Sequence, residues 1–137
     1  MAIDLGSKRI GLAITDDSGR IALPLMTLTK ERKRSDRIRR IVRLGEQREV
    51  CQFVVGLPVR MSGEEGPEAQ AAREFAAAMQ TRTAHAVALH DETCTTLEAH
   101  EKLMEAGVPL ERHREMIDQV AAVLILESWM SLQEQQG

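Results

Sequence analysis

The stretch Met1-Ala2-Ile3-Asp4-Leu5-Gly6-Ser7-Lys8-Arg9-Ile10-Gly11-Leu12 decides how the rest of the chain is read. Ile3-Asp4-Leu5 and Ile10-Gly11-Leu12-Ala13-Ile14 are apolar runs joined by a short connection, the pattern of two consecutive strands. Asp4 interrupts that pattern. A carboxylate inside a buried strand is costly to desolvate unless it is paired, hydrogen-bonded or metal-bound. The plainest account is that Asp4 hydrogen-bonds the adjoining turn, as Asp often does before glycine. The alternative is a functional site, and the rest of the sequence bears on the choice.

Working outward, a third run follows at 20–29 after the turn-forming Asp16-Asp17-Ser18-Gly19, and Pro24 within it marks an edge or interrupted strand. The pattern then becomes helical. Ser35 or Asp36 is placed to cap a helix whose Ile38, Ile41, Val42 and Gly45 share one face. Val50 to Pro58 is a near-continuous apolar run, as expected of a central strand buried on both faces. Pro67 opens a second helix with Ala72, Phe75, Ala76 and Met79 inward. Ala84 to Leu89 reads as a fifth strand that delivers His90-Asp91-Glu92 at its end. Thr95 and Glu98 form a capping box ahead of Leu97, Leu103 and Met104, and Gly107 with Pro109 stops that helix. A long last helix runs from about Arg112 or Glu115 to Gln133.

The expected architecture is α/β: a mixed five-stranded sheet, with an antiparallel meander of strands 1–3, then parallel strands 4 and 5, and helices on both faces. Nothing in the sequence suggests a linker or repeat, so residues 1–137 are expected to form a single domain. Cys51 and Cys94 have no metal-binding or disulfide spacing, and Cys51 reads as a core residue. No signal peptide or membrane-spanning run is present, which points to the cytoplasm and to no membrane role. Tyrosine is absent and only Phe53, Phe75 and Trp129 are aromatic, which argues against a base-stacking platform. The net charge is −3, yet Lys30 to Arg43 holds eight basic residues and two acids. A segregated basic face can bind a phosphate backbone whatever the net charge, although it is also what a solvated helix face looks like.

Acids stand at three places where a core pattern calls for apolar residues: Asp4, Asp91-Glu92, and Asp118 in the last helix. Asp118 shares a stripe with Ala121, Ala122, Ile125 and Trp129, although an acid near a helix start also suits the helix dipole. Strand ends and a helix start can converge, and clustered carboxylates repel unless a cation neutralises them. Oxygen-only ligands point to Mg²⁺ or Mn²⁺, and a metal pair could generate hydroxide and stabilise the leaving oxygen in phosphodiester hydrolysis.

These residues resemble the YqgF/RuvX family of the RNase H-like superfamily, described as Holliday junction resolvases and as pre-16S rRNA nucleases. The likeness is carried in order by Ile3 to Gly11, Val54-Val55-Gly56-Leu57-Pro58, Gly63 to Pro67, His90-Asp91-Glu92, Thr95 to Ala99 and Ile117 to Leu126. It implies an RNase H-like nuclease domain with Asp4, Glu92 and Asp118 as catalytic metal ligands and Asp91 adjacent. It also implies that Lys8 and Arg9 face the substrate and that the loop from Gly56 to Gly66 borders the cleft. Three departures stand out: Thr93 where the family usually has Arg, Val59-Arg60 where it usually has Asn, and a first strand that begins only three residues before Asp4.

The expected function is metal-dependent processing of the 5′ end of precursor 16S rRNA in ribosome biogenesis, by a monomer or homodimer that meets ribosomal assembly intermediates. Arg34, Arg37 and Arg40 of the basic helix, with Arg60, are expected to contact the backbone. Alternatives are a resolvase of branched DNA, which needs a symmetric dimer for two cuts, and a non-catalytic RNA-binding assembly factor. Asp-Leu-Gly-Ser also resembles the phosphate turn of actin-like ATPases, but those need a second equivalent lobe.

Overall fold

The computed structural model describes residues 1–29, 33–92 and 95–136, without the side chains of residues 95, 96, 114 and 115. Lys30, Arg32, Thr93 and Cys94, which figured in the sequence reading, lie outside the described residues, as do the side chains of Thr95 and Thr96. Strands β1 (Ala2–Leu5), β2 (Arg9–Thr15) and β3 (Ala22–Thr29) are followed by α1 (Arg34–Gln47), β4 (Gln52–Leu57), α2 (Pro67–Gln80), β5 (Ala86–Asp91), α3 (Thr95–Glu105) and α4 (His113–Gln136). The sheet order is β3-β2-β1-β4-β5. β1, β2 and β3 pair antiparallel, and β1, β4 and β5 pair parallel. This is the mixed α/β sheet expected of an RNase H-like fold.

Strand alternation sorts the core into two layers. Ile3, Ile10, Leu12, Phe53, Val55 and Leu57 join Ile38, Ile41 and Val42 of α1 and Ala72, Phe75, Ala76 and Met79 of α2. Ala2, Ala13 and Val54 point the other way and meet Ala122, Ile125 and Leu126 of α4. α1 and α2 therefore bury the stripes that their spacing predicts. Pro24 sits on β3, an edge strand, opposite Ala13, where the register shifts between Leu12 and Ala13. Among the described residues no helix is long and apolar enough to cross a membrane.

Several local expectations are corrected. α1 starts at Arg34 with Lys33 at the N-cap and no side-chain cap bond, so neither Ser35 nor Asp36 caps it. Cys51 is exposed, because β4 begins one residue later and leaves it outside the buried run. On α3, Ala99 and Leu103 are buried but Leu97 and Met104 face solvent. A short 3-10 turn (Leu110–Arg112) leads into α4. Buried His113 joins α4 to α3: its Nε2–H donates to the Val108 carbonyl (3.0 Å), and its Nδ1 is hydrogen-bonded to His100 Nδ1 (2.7 Å).

α4 can lie this close to the sheet because Gly11 has no side chain. A Cβ there would stand 2.0 Å from the Asp118 carbonyl oxygen. That is a backbone contact, which no rotamer change relieves. Gln119 Nε2 donates to Thr27 Oγ1 (3.0 Å) and fixes the same turn of α4 against β3. Gly11→Ala is expected to push α4 outward, at a cost of about 1–3 kcal/mol, or a fall of about 3–10 °C in a calorimetric melting temperature. An unchanged melting temperature would contradict this packing account.

Candidate functional site

Parity on the strands determines which acids meet. Asp4 lies two residues after Ala2 on β1 and opposite Gly11, so it faces α4. Val87 and Leu89 of β5 pack on the α1/α2 side, which leaves His90 and Glu92 facing α4 and Asp91 turned away, at the exposed end of the strand. Glu92 stays in register through its backbone N–H, which donates to the Leu57 carbonyl (3.0 Å). Gly56 makes room for it: a Cβ at Gly56 would meet Glu92 Oε2 and Ile125 Cδ1, each at 2.6 Å. Both strand-interior glycines on this face thus serve close approach of a catalytic candidate or its helix.

Asp4 and Glu92 share a side-chain hydrogen bond. Burial, then the charge of Asp4, the hydrogen bond to it and the charge of Asp91 push the Glu92 carboxyl up to about 9, so it is protonated at neutral pH. Asp91 therefore acts on Glu92 through its field, from the opposite face of the strand. Asp118 lies over Gly11 and Gly6; its Oδ1 stands 3.3 Å from where a Gly6 Cβ would be. α4 begins at His113, which puts Asp118 beyond the first turn, so it does not cap the helix dipole. Its carboxylate is 13% exposed and accepts from Arg9 Nε at 2.7 Å. Among the described residues no group of three His, Cys, Asp or Glu side chains is close enough to form a ready-made cage. The structure brings Asp4 to Glu92 and gives Asp118 to Arg9.

The basic candidates spread over this end of the sheet. Lys8 is exposed on the β1–β2 connection, which is closed by Gly6 N–H donating to the Arg9 carbonyl (2.9 Å). Arg34 and Arg37 line a cavity with Leu5, Gly6 and Ser7, at the carboxyl end of β1. Arg40 points into a different groove further along α1. Arg60 lies over Gly66: a Cβ there would meet its guanidinium at 2.7 Å. The loop around it is closed by a Val59–Glu65 bridge and by the bidentate Arg73–Glu65 pair (2.7 Å).

One link was not anticipated from the sequence. His90 and Ser128 Oγ are hydrogen-bonded at 2.7 Å, and the imidazole stands edge-on to Trp129. Burial lowers the His90 pKa against the opposing pull of Asp91. The bond ties the strand that delivers Glu92 to the helix that carries Asp118. Period-two counting from Ala88 to His90 places it on this face, but its partner is 38 residues away and unmarked by any motif.

The Glu92 carboxyl fixes a pH signature for the metal-free protein. The unfolded chain ionises near 4.5 and the folded site near 9, so the neutral form is the one that the fold favours. That advantage is complete below pH 4.5 and is lost as pH rises towards 9. Glu92→Gln, which keeps a donor towards Asp4, is expected to match wild type near pH 4 and exceed it by about 1–3 kcal/mol at pH 8 in chelator. Denaturant titrations at the two pH values would show it; parallel stabilities would exclude a shared proton.

Residues 1–132 match the family RuvX, described as Holliday junction resolvase. A Myxococcus xanthus (strain DK1622) protein is 39% identical over 95% of this chain and 85% of its own length. A Mycobacterium sp. (strain KMS) protein is 41% identical over 95% and 78%, and a Koribacter versatilis (strain Ellin345) protein 39% identical over 95% and 84%. All three are named "Putative pre-16S rRNA nuclease". With its full sheet and both core layers inside the matched span, the chain belongs to the RuvX family of nucleases.

Proposed function

We propose that this chain is a divalent-metal-dependent nuclease of the cytoplasm that trims the 5′ end of precursor 16S rRNA within ribosomal assembly intermediates. The observation that carries the reaction class is the buried Asp4–Glu92 pair, in which the Glu92 carboxyl keeps its proton because burial, and then the charge of Asp4, disfavour its ionised form. A hard cation can take that proton's place, and the oxygen donors of Asp4 and Glu92, with Asp118 as the third candidate ligand once it leaves Arg9, suit Mg²⁺ or Mn²⁺ by donor type. Bound there, the metal would activate water and offset charge on the leaving oxygen. The names of the relatives support the choice of precursor rRNA.

The chain's own residues divide the remaining work. Asp4 and Glu92 supply the negative floor of the cleft, and Gly56 and Gly11 keep it narrow. Arg9 holds Asp118 over that floor and places a guanidinium at the lip. Lys8, Arg34 and Arg37 surround the Gly6-Ser7 turn and attract the phosphate backbone to the cleft. Positive charge at the rim beside acids on the floor suits a polyanion whose scissile phosphate must approach carboxylates.

The family description favours a second reading, cleavage of branched DNA. Purified protein with Mg²⁺ or Mn²⁺ is expected to cut precursor 16S rRNA in preference to four-way DNA junctions; the reverse preference would establish the resolvase reading. Asp4→Asn and Asp118→Asn are each expected to lower cleavage at least about 100-fold while keeping the wild-type circular dichroism spectrum. Wild-type rates from both variants would sink the mechanism.

A further inference from the structure

The basic residues of α1 do not form one surface. Arg34 and Arg37 stand beside the Gly6-Ser7 turn at the cleft end. Arg39, Arg40 and Arg43 border a groove of about 380 Å³ together with Asp36, Leu44 and Gln47. Arg39 and Arg43 also border a neighbouring groove of about 200 Å³, with Val42, Glu46 and Arg82. Arg82 follows the end of α2 and enters from a different part of the sequence. α1 and α2 both start at the cleft end, so Arg82 marks the far end of the pair. The 14 residues of α1 put roughly 21 Å between the two ends.

Two features separate this patch from an ordinary solvated face. Arg39 and Arg43 are four apart, and Arg40 and Arg43 three apart, which sets like charges side by side and weakens the helix. Despite Asp36 and Glu46 nearby, none of Arg39, Arg40, Arg43 and Arg82 has an ion-pair partner within 4.0 Å among the described residues. Neither groove is lined by an aromatic side chain, so nothing there stacks on unpaired bases. Guanidiniums without stacking partners suit phosphates held in a duplex.

We propose that Arg39, Arg40, Arg43 and Arg82 form a second phosphate-binding track that holds a double-helical arm of the RNA substrate away from the cleft. This rests on the nuclease reading above and adds the form of the substrate: a duplex that flanks the cut site. The far end of the track lies roughly 21 Å from the cleft end of α1, about seven or eight base pairs of an A-form duplex at roughly 2.8 Å each. A shorter arm cannot reach its far end.

The test is fluorescence anisotropy of the full chain with RNA hairpins that share one single-stranded leader and carry an arm of about four or about twelve base pairs. Wild type is expected to bind the longer arm about tenfold more tightly. The triple variant Arg39→Gln/Arg43→Gln/Arg82→Gln is expected to bind both arms alike, at the wild-type affinity for the short one. Its log–log salt slope for the long arm should be shallower by about 2–3. Arm-independent binding by wild type, or equal weakening of both hairpins in the variant, would overturn the track, as would a variant indistinguishable from wild type. Loss of the arm preference in a protein that cleaves no RNA would uphold the track and defeat the nuclease reading instead.

Discussion

Two carboxyl groups in hydrogen-bond contact inside the protein constrain everything at this end of the molecule. Asp4 and Glu92 come from strands separated by β4, and each reaches the same side of the sheet only because its strand parity is even with Ala2 and Ala88. The pair survives without a cation because Glu92 keeps its proton up to about pH 9. A buried acid pair of this kind costs stability, and the fold absorbs it with two large apolar layers on either side of the sheet. The same pair demands thin neighbours. Gly56 under Glu92 and Gly11 under Asp118 remove the side chains that would otherwise fill the cleft floor.

Asp118 shows how the site is built from contacts of very different sequence range. Its stripe with Ala121, Ala122, Ile125 and Trp129 is local and legible from helical spacing, and the structure buries Ala121, Ala122 and Ile125. Its partner Arg9 is 109 positions away. The sequence marks Arg9 only as one more cation after a glycine, and the resemblance to the family directs it to substrate. In the structure its Nε bonds to Asp118, so the lip cation and the third acid neutralise each other in the free protein.

Legibility in the sequence follows the same division between local and distant. The order of elements along the chain, helices on both faces of the sheet and the inward stripes of α1 and α2 all rest on periodicity, a property of neighbours in the chain, and they match the structure closely. What failed was end chemistry and part of the α3 stripe, where Leu97 and Met104 face solvent. Ser35 and Asp36 looked like caps, yet α1 begins at Arg34, where composition alone gives no start signal. Cys51 reads as buried because it lies within the apolar run from Val50 to Pro58, but a strand that starts two residues later, at Gln52, leaves it outside. The carboxylates were legible as anomalies in apolar runs. That Glu92 rather than Asp91 joins Asp4 needed the parity of β5, which the sequence reading of 84–89 left two residues short.

Charge is organised by face, which the net value of −3 conceals. Acids that a core would reject collect on the α4 side, where burial makes them sensitive to any cation that arrives. Arginines collect along α1, on the α1/α2 side, and continue through Arg82. The sheet separates the two sets, so most of the cations cannot collapse onto the acids they would otherwise quench. Arg9 is the exception because on β2 it shares the parity of Gly11 and Ala13 and so faces α4, where it meets Asp118. A polyanion can then be gathered by one face and presented to the other around the Gly6-Ser7 turn. That division explains why a protein with an acidic total can be read as binding nucleic acid: a phosphate within a Debye length of α1 responds to the arginines near it, not to the sum over the chain.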